Sequence, residues 1–218
     1  MAISQFPAWV TSASADEPTT PPTDPPPTDP PPGPPLDQIY IQSISYAGTG
    51  CAPGTLTPEL NDDRTAFTLR FHQFTAIVGP GLPLTDSRKN CQVNVLFHVP
   101  AGYTYAFSGV EQGGHLDLAA GARGMVKTHF YARGQAPSAS VWTIFTGPAT
   151  MDWQVRDEVE PIALVWAPCG VARSMNINTQ AQVQRSNAVP VPTSFISVDR
   201  ESLDQRYSLV WRQCPIQP

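Results

Sequence analysis

The stretch that decides the fold is "NINTQAQVQ", residues 176–184. In an extended chain Ile177, Thr179, Ala181 and Val183 share one side, while Asn178, Gln180 and Gln182 share the other. That is the period of two that a β-strand gives its side chains. Wound as a helix, the less polar four would scatter around the axis and leave no stripe to bury. The segment is therefore a strand with one face for a core and one face of carboxamides.

The same period runs outward in both directions. In "IYIQSISYAG" (39–48) Tyr40, Gln42, Ile44 and Tyr46 alternate against Ile39, Ile41, Ser43 and Ser45. "CQVNVLFHVP" (91–100) turns Val93, Val95, Phe97 and Val99 inward, and "YTYAFSGV" (103–110) is expected to pair with it through Pro100-Ala101-Gly102. "MVKTHFYARG", "SVWTIFTGP", "WQVRDEV", "IALVWAPCG" and "RYSLVWRQC" repeat the pattern. Phe67, Leu69 and Phe71 line one face, but Phe74, Ala76 and Val78 continue on the opposite parity, a slip that predicts a β-bulge near Gln73. About nine to eleven short strands separated by Gly/Pro turns predict an all-β fold: an antiparallel β-sandwich, jelly-roll or Greek-key-like.

Composition narrows the function classes. Only 14% of the 218 residues are charged and the net charge is −5. Lys89 and Lys127 are the sole lysines, so no basic cluster exists for nucleic acid. No apolar run approaches the 18 or more residues of a membrane span.

Cys51, Cys91, Cys169 and Cys214 are widely spaced and none forms a C-x-x-C pair, which argues against zinc or thioredoxin-like chemistry. Two disulfides are expected, with three connectivities open. Cys51–Cys91 and Cys169–Cys214 are favoured because each pair brackets a compact block of strands; reduced core cysteines are the alternative.

The front of the chain differs in kind. Residues 1–18, "MAISQFPAWVTSASADEP", read either as a leader ending at Ala13-Ser14-Ala15 or as a retained segment whose Ile3, Phe6, Trp9 and Val10 form a self-association arm. Residues 19–35 repeat Thr-Asp-Pro-Pro-Pro, and the fixed φ of proline makes this an extended polyproline II linker. Residues 36–218 form the disulfide-stapled sandwich domain.

Within that domain "TDSRKNCQ" (85–92) gathers Asp86, Arg88, Lys89 and Asn90, a candidate binding loop for an anion or a sugar. The alternative is that Arg88 and Asn90 tie down a long loop. His72, His98, His115 and His129 sit in separate strand-like runs without metal-ligand spacing, and Asp62-Asp63 read as turn formers. Trp142, Trp153 and Trp166 could stack on sugars if exposed, although strand tryptophans are mostly core. There is no G-x-S-x-G elbow, P-loop or dinucleotide fingerprint, so neither catalysis nor a cofactor is expected.

"SYAGTGC" (45–51), "GPGLPLTDSRKNCQ" (79–92), "WAPCG" (166–170), "NIN" (176–178) and Cys214 occur in that order. Over residues 38–214 the chain resembles the secreted fungal and bacterial family catalogued as domain of unknown function 4360. The resemblance implies export, a β-rich fold and four cysteines at these positions, and supplies no reaction.

Two functions follow as expectations. The first is a secreted, non-enzymatic structural protein, a filament or surface-layer subunit whose arm contacts a neighbour's open sheet edge. The second is a carbohydrate-binding or adhesion module that the proline spacer projects from a cell surface. The partners would be other copies of the chain or a cell-surface glycan.

Overall fold

The computed structural model describes residues 33–136, 138–198 and 205–215. The chain divides into two units, Met1–Pro32 and Gly33–Pro218. The arm residues Ile3, Phe6, Trp9 and Val10 lie outside the described residues, as does the linker up to residue 32.

The described chain forms twelve strands: β1 (Tyr40–Ala47), β2 (Leu56–Leu60), β3 (Ala66–Phe71), β4 (Thr75–Val78), β5 (Arg88–His98), β6 (Tyr103–Leu118), β7 (Arg123–Ala132), β8 (Ser138–Thr146), β9 (Ala149–Glu158), β10 (Met175–Gln184), β11 (Ser194–Ser197) and β12 (Gln205–Gln213). Its only helical pieces among the described residues are three short 3-10 turns. A five-stranded sheet runs β1-β5-β10-β7-β8, and a seven-stranded sheet runs β2-β3-β12-β6-β11-β4 with β9 also paired to β6. All these strand pairs are antiparallel.

The inward residues of both sheets make one core. Aromatic rings lock it edge to face across the gap: Phe67 on Phe97 at 5.3 Å, Phe97 on Tyr105 at 5.2 Å and Phe107 on Phe130 at 5.8 Å. Such pairs add about 0.5–1.5 kcal/mol each beyond the area they bury. Beside them lies a buried polar chain. Thr179 Oγ1 donates to Gln205 Oε1 at 3.0 Å, Gln205 Nε2 donates to Gln112 Oε1 at 3.0 Å, and the Tyr207 hydroxyl donates to Gln205 Oε1 at 2.8 Å. Thr128 Oγ1 joins through Gln112 Oε1 at 3.2 Å. Thr128 and Thr179 belong to one sheet, Gln112, Gln205 and Tyr207 to the other. Directional bonds across a dry core hold the sheets in one alignment.

Three expectations about connectivity are corrected. β5 and β6 do not form a hairpin: Pro100–Gly102 carries the chain from one sheet to the other, because β5 takes β1 and β10 as partners while β6 takes β12 and β9. The slip near Gln73 is a strand break: β3 pairs with β2 and β12, whereas β4 pairs with β11 at the opposite edge of the same sheet. Irregular registers lie instead between Ile41 and Ser43 and between Ser208 and Leu209. The first lets Ile41 join Ile44 and Tyr46 against the core. "IALVWAPCG" forms no named strand, contributing a 3-10 turn and a single bridge from Trp166 to Ala106.

Cys51 is bonded to Cys91 and Cys169 to Cys214. The first bridge clamps the end of β1 to β5. There Gly48 passes so close that a Cβ would stand 2.1 Å from the Asn90 carbonyl oxygen, which only glycine tolerates.

Candidate functional site: the outer face of the five-stranded sheet

Because β10 is the middle strand of its sheet, its outward residues set the centre of a broad face. Register aligns that face in rows. One runs Ser140, His129, Asn178, Gln92 across β8, β7, β10 and β5; the next runs Trp142, Lys127, Gln180, Asn90; the third runs Ile144, Met125, Gln182, Arg88. Tyr131, Asn176 and Asn94 form a fourth, and Arg123 and Gln184 end the series.

The amides of the inner rows bind one another. Asn178 Nδ2 donates to Gln92 Oε1 at 2.9 Å, Asn94 Nδ2 donates to Asn176 Oδ1 at 2.9 Å, and Gln180 Nε2 donates to Gln182 Oε1 at 3.2 Å. His129 Nδ1 lies 2.8 Å from Ser140 Oγ. The ladder fixes the orientation of each amide and leaves outward lone pairs and N–H groups for hydroxyls of a ligand. A shallow depression of about 300 Å³ opens among Arg88, Lys127, His129, Ser140, Asn178 and Gln180. Trp142, 59% exposed, stands in the same row as Lys127, with Ile144 at 48% beside it. On the far edge Tyr40 stacks on His98 at 4.7 Å, nearly parallel.

The four residues read together in "TDSRKNCQ" are separated by the alternation of a strand. Arg88, Lys89 and Asn90 open β5, and Asp86 lies in the 3-10 turn before it (Leu84–Ser87). Arg88 is exposed and lines the depression of the outer face. Lys89 has the parity of buried Cys91, and its ammonium pairs with Asp86 Oδ1 at 2.7 Å. The Asn90 side chain accepts from Thr49 Oγ1 at 3.2 Å and so holds the Gly48–Cys51 turn. Only Arg88 of the four is brought to the platform without a partner among the described residues. The sequence offered Trp142 as a sugar-stacking residue and His129 as one of four scattered histidines, but nothing in it joined them to Lys127; the signal for that is the outward parity they share on either side of buried Thr128 and Val141.

The other candidates are dispersed. Trp153 is buried, Trp166 stacks under the Arg212 guanidinium at 3.8 Å, and Trp211 Nε1 donates to the Arg64 carbonyl at 2.8 Å. His115 pairs with Asp152 at 2.8 Å, and His72 lies 3.1 Å from Thr57 Oγ1. Asp63 caps its own turn, and the Thr65 hydroxyl and amide hold its carboxyl below the usual range. Asp157 is pushed upward by burial. Burial likewise raises the hydroxyls of Tyr105 and Tyr207 out of any physiological titration. Among the described residues no three His, Cys, Asp or Glu come together as metal ligands, and no helix is long and apolar enough to cross a membrane.

Two disulfide-pinned antiparallel sheets with one amide-laddered outer face define an extracellular β-sandwich with a candidate binding platform. The chain belongs to the family described as Domain of unknown function (DUF4360), whose model matches residues 37–214. A protein of Arthroderma benhamiae described as an uncharacterized secreted protein is 36% identical over 183 residues, covering 83% of this chain and 74% of its own. The protein is secreted, in keeping with its two disulfides. Among solved structures, the enzymatically active domain of bacteriophage CBA120 tailspike protein 4 is 16% identical with a TM-score of 0.28, covering 80% of this chain and 20% of its own. TmCBM61 in complex with beta-1,4-galactotriose is 13% identical with a TM-score of 0.24, covering 83% of this chain and 95% of its own. At those scores neither likeness bears on the ligand of this chain.

Proposed function

We propose that this protein is a secreted, non-enzymatic glycan-binding module whose ligand lies along the outer face of the five-stranded sheet. The carrying observation is the platform itself: ordered Asn and Gln rows ending at exposed Trp142. Sugars present hydroxyls to hydrogen-bond and flat C–H faces to stack, and amides beside an indole answer both. Pull-down of the full chain on a panel of insoluble polysaccharides tests it. Trp142→Ala should abolish retention on whichever polymer the parent binds, with its melting temperature unchanged. A parent retained on none of them would refute the reading.

A second reading, a subunit of an extracellular assembly, is favoured by the free edge of β8. Among the described residues nothing pairs with the side of this nine-residue strand that faces away from β7. An exposed edge of that length can accept a strand from another copy. Light scattering compares the full chain with one beginning at Leu36: only the full chain should form larger species. Two monomers would refute assembly through the arm.

A further inference from the structure

Resting on the glycan-binding reading, we infer that the polymer held by this face is acidic, a polysaccharide carrying carboxylate or sulfate groups along its length. None of the five strands of the sheet contains an Asp or Glu. Their outward positions hold Arg88, Arg123 and Lys127, and none of these has an ion-pair partner among the described residues. The depressions of the face are lined by no carboxylate either. The described residues carry eleven Asp and Glu side chains, and none of them lies on these strands.

The cations are also spaced along a line. Arg123 and Lys127 share the outward parity of β7 and stand roughly 14 Å apart at about 3.4 Å per residue, and Arg133 follows in the turn just after the strand. At the Arg133 end a depression of about 540 Å³ brings in Arg173 beside Ser43, Asn94 and Ser174. Arg173 Nη1 donates to the Arg133 carbonyl at 3.4 Å, which leaves the rest of its fork directed elsewhere. Cations set singly among amides match a polymer whose repeat carries one anion and several hydroxyls. A nucleic acid, with a charge on every phosphate, would meet a sparse row on an acidic protein, and its long-range approach would be disfavoured.

Biolayer interferometry tests this with the full chain over immobilised polygalacturonate, heparin, carboxyl-reduced polygalacturonate and a single-stranded oligonucleotide. Binding to polygalacturonate or to heparin should exceed binding to the carboxyl-reduced polymer by about tenfold or more and should weaken as salt is added. The comparison of those two arms tells whether carboxylates alone suffice or sulfates are needed as well. Arg88→Gln combined with Lys127→Gln should lower that affinity about tenfold, whereas Arg88→Lys combined with Lys127→Arg should keep most of it, both with the parent's melting temperature. Equal binding to the carboxyl-reduced polymer, or an unaffected Gln variant, would overturn the inference and leave glycan binding standing. Binding to none of the polysaccharides would remove both. Equal or tighter binding to the oligonucleotide would replace the glycan with a nucleic acid.

Discussion

The two outer faces of the sandwich handle charge in opposite ways. On the seven-stranded sheet the carboxylates have company: Asp152 holds His115 at 2.8 Å, Asp117 accepts from Thr150 at 2.9 Å, Glu111 accepts from Gln154, and Glu158 lies 3.6 Å from Arg156. On the five-stranded sheet three outward cations stand among amides with no carboxylate on any strand. A face that only needs water around it can mix and pair its charges. A face cleared of one sign is what the proposed acidic ligand would meet.

The contrast concerns surfaces and should vanish when the core beneath is disturbed. Phe130 is fully buried and meets Phe107 across the gap. Phe130→Ala should cost roughly 3–5 kcal/mol in denaturant unfolding, whereas Trp142→Ala, on the same sheet but facing out, should cost well under about 1 kcal/mol. Equal losses would mean that Trp142 supports the fold and is unavailable to a ligand. Gln205→Leu comes next. It removes the acceptor that the Tyr207 hydroxyl and Thr179 Oγ1 share and leaves Thr179 the 3.4 Å contact with Thr128 Oγ1, so the loss should be about 1–3 kcal/mol. No loss would show that the polar chain does not hold the two sheets in alignment.

Smaller effects sharpen the comparison of the faces themselves. His115 and Asp152 are both well exposed, so His115→Ala should change stability by no more than about 1 kcal/mol. The binding reading places no ligand there, so affinity for a glycan should stay unchanged; a loss would move the site to the other face. The smallest effect is that of Asp157. Burial raises its carboxyl above the ordinary value of 3.8. The folded chain therefore holds this proton more tightly than the unfolded chain does, and stability falls as pH rises from about 4 through the raised value. Asp157→Asn should remove that component of the slope in thermal melts at a series of pH values; an unaltered slope would place its origin elsewhere.

How much of this was legible depended on whether the information was local. The alternation in residues 176–184 gave both sides of β10, the buried Ile177, Thr179, Ala181 and Val183 and the outward Asn178, Gln180 and Gln182. It could not tell which strands would lie beside it. Phe97 and Tyr105 face the same core from different sheets, so their strands look like a hairpin in sequence and are a crossover in space. The run at 85–92 is divided for a related reason: adjacency along a strand places neighbours on opposite faces, so Lys89 pairs with Asp86 while Arg88 lines the platform. The candidate site is a set of residues two apart on strands distant in sequence, from Arg88 to Asn178, which meet only once the sheet order is known.

Nitrogen–proton NMR of the full chain, titrated with an acidic oligosaccharide, reaches the central claim most directly, because the side-chain amides report on the face themselves. The side-chain NH2 signals of Asn178, Gln180 and Gln182 and the Trp142 indole N–H should shift together, while the backbone amides of β9 stay still. Shifts confined to β9 and its neighbours on the seven-stranded sheet, with the platform amides unmoved, would contradict it.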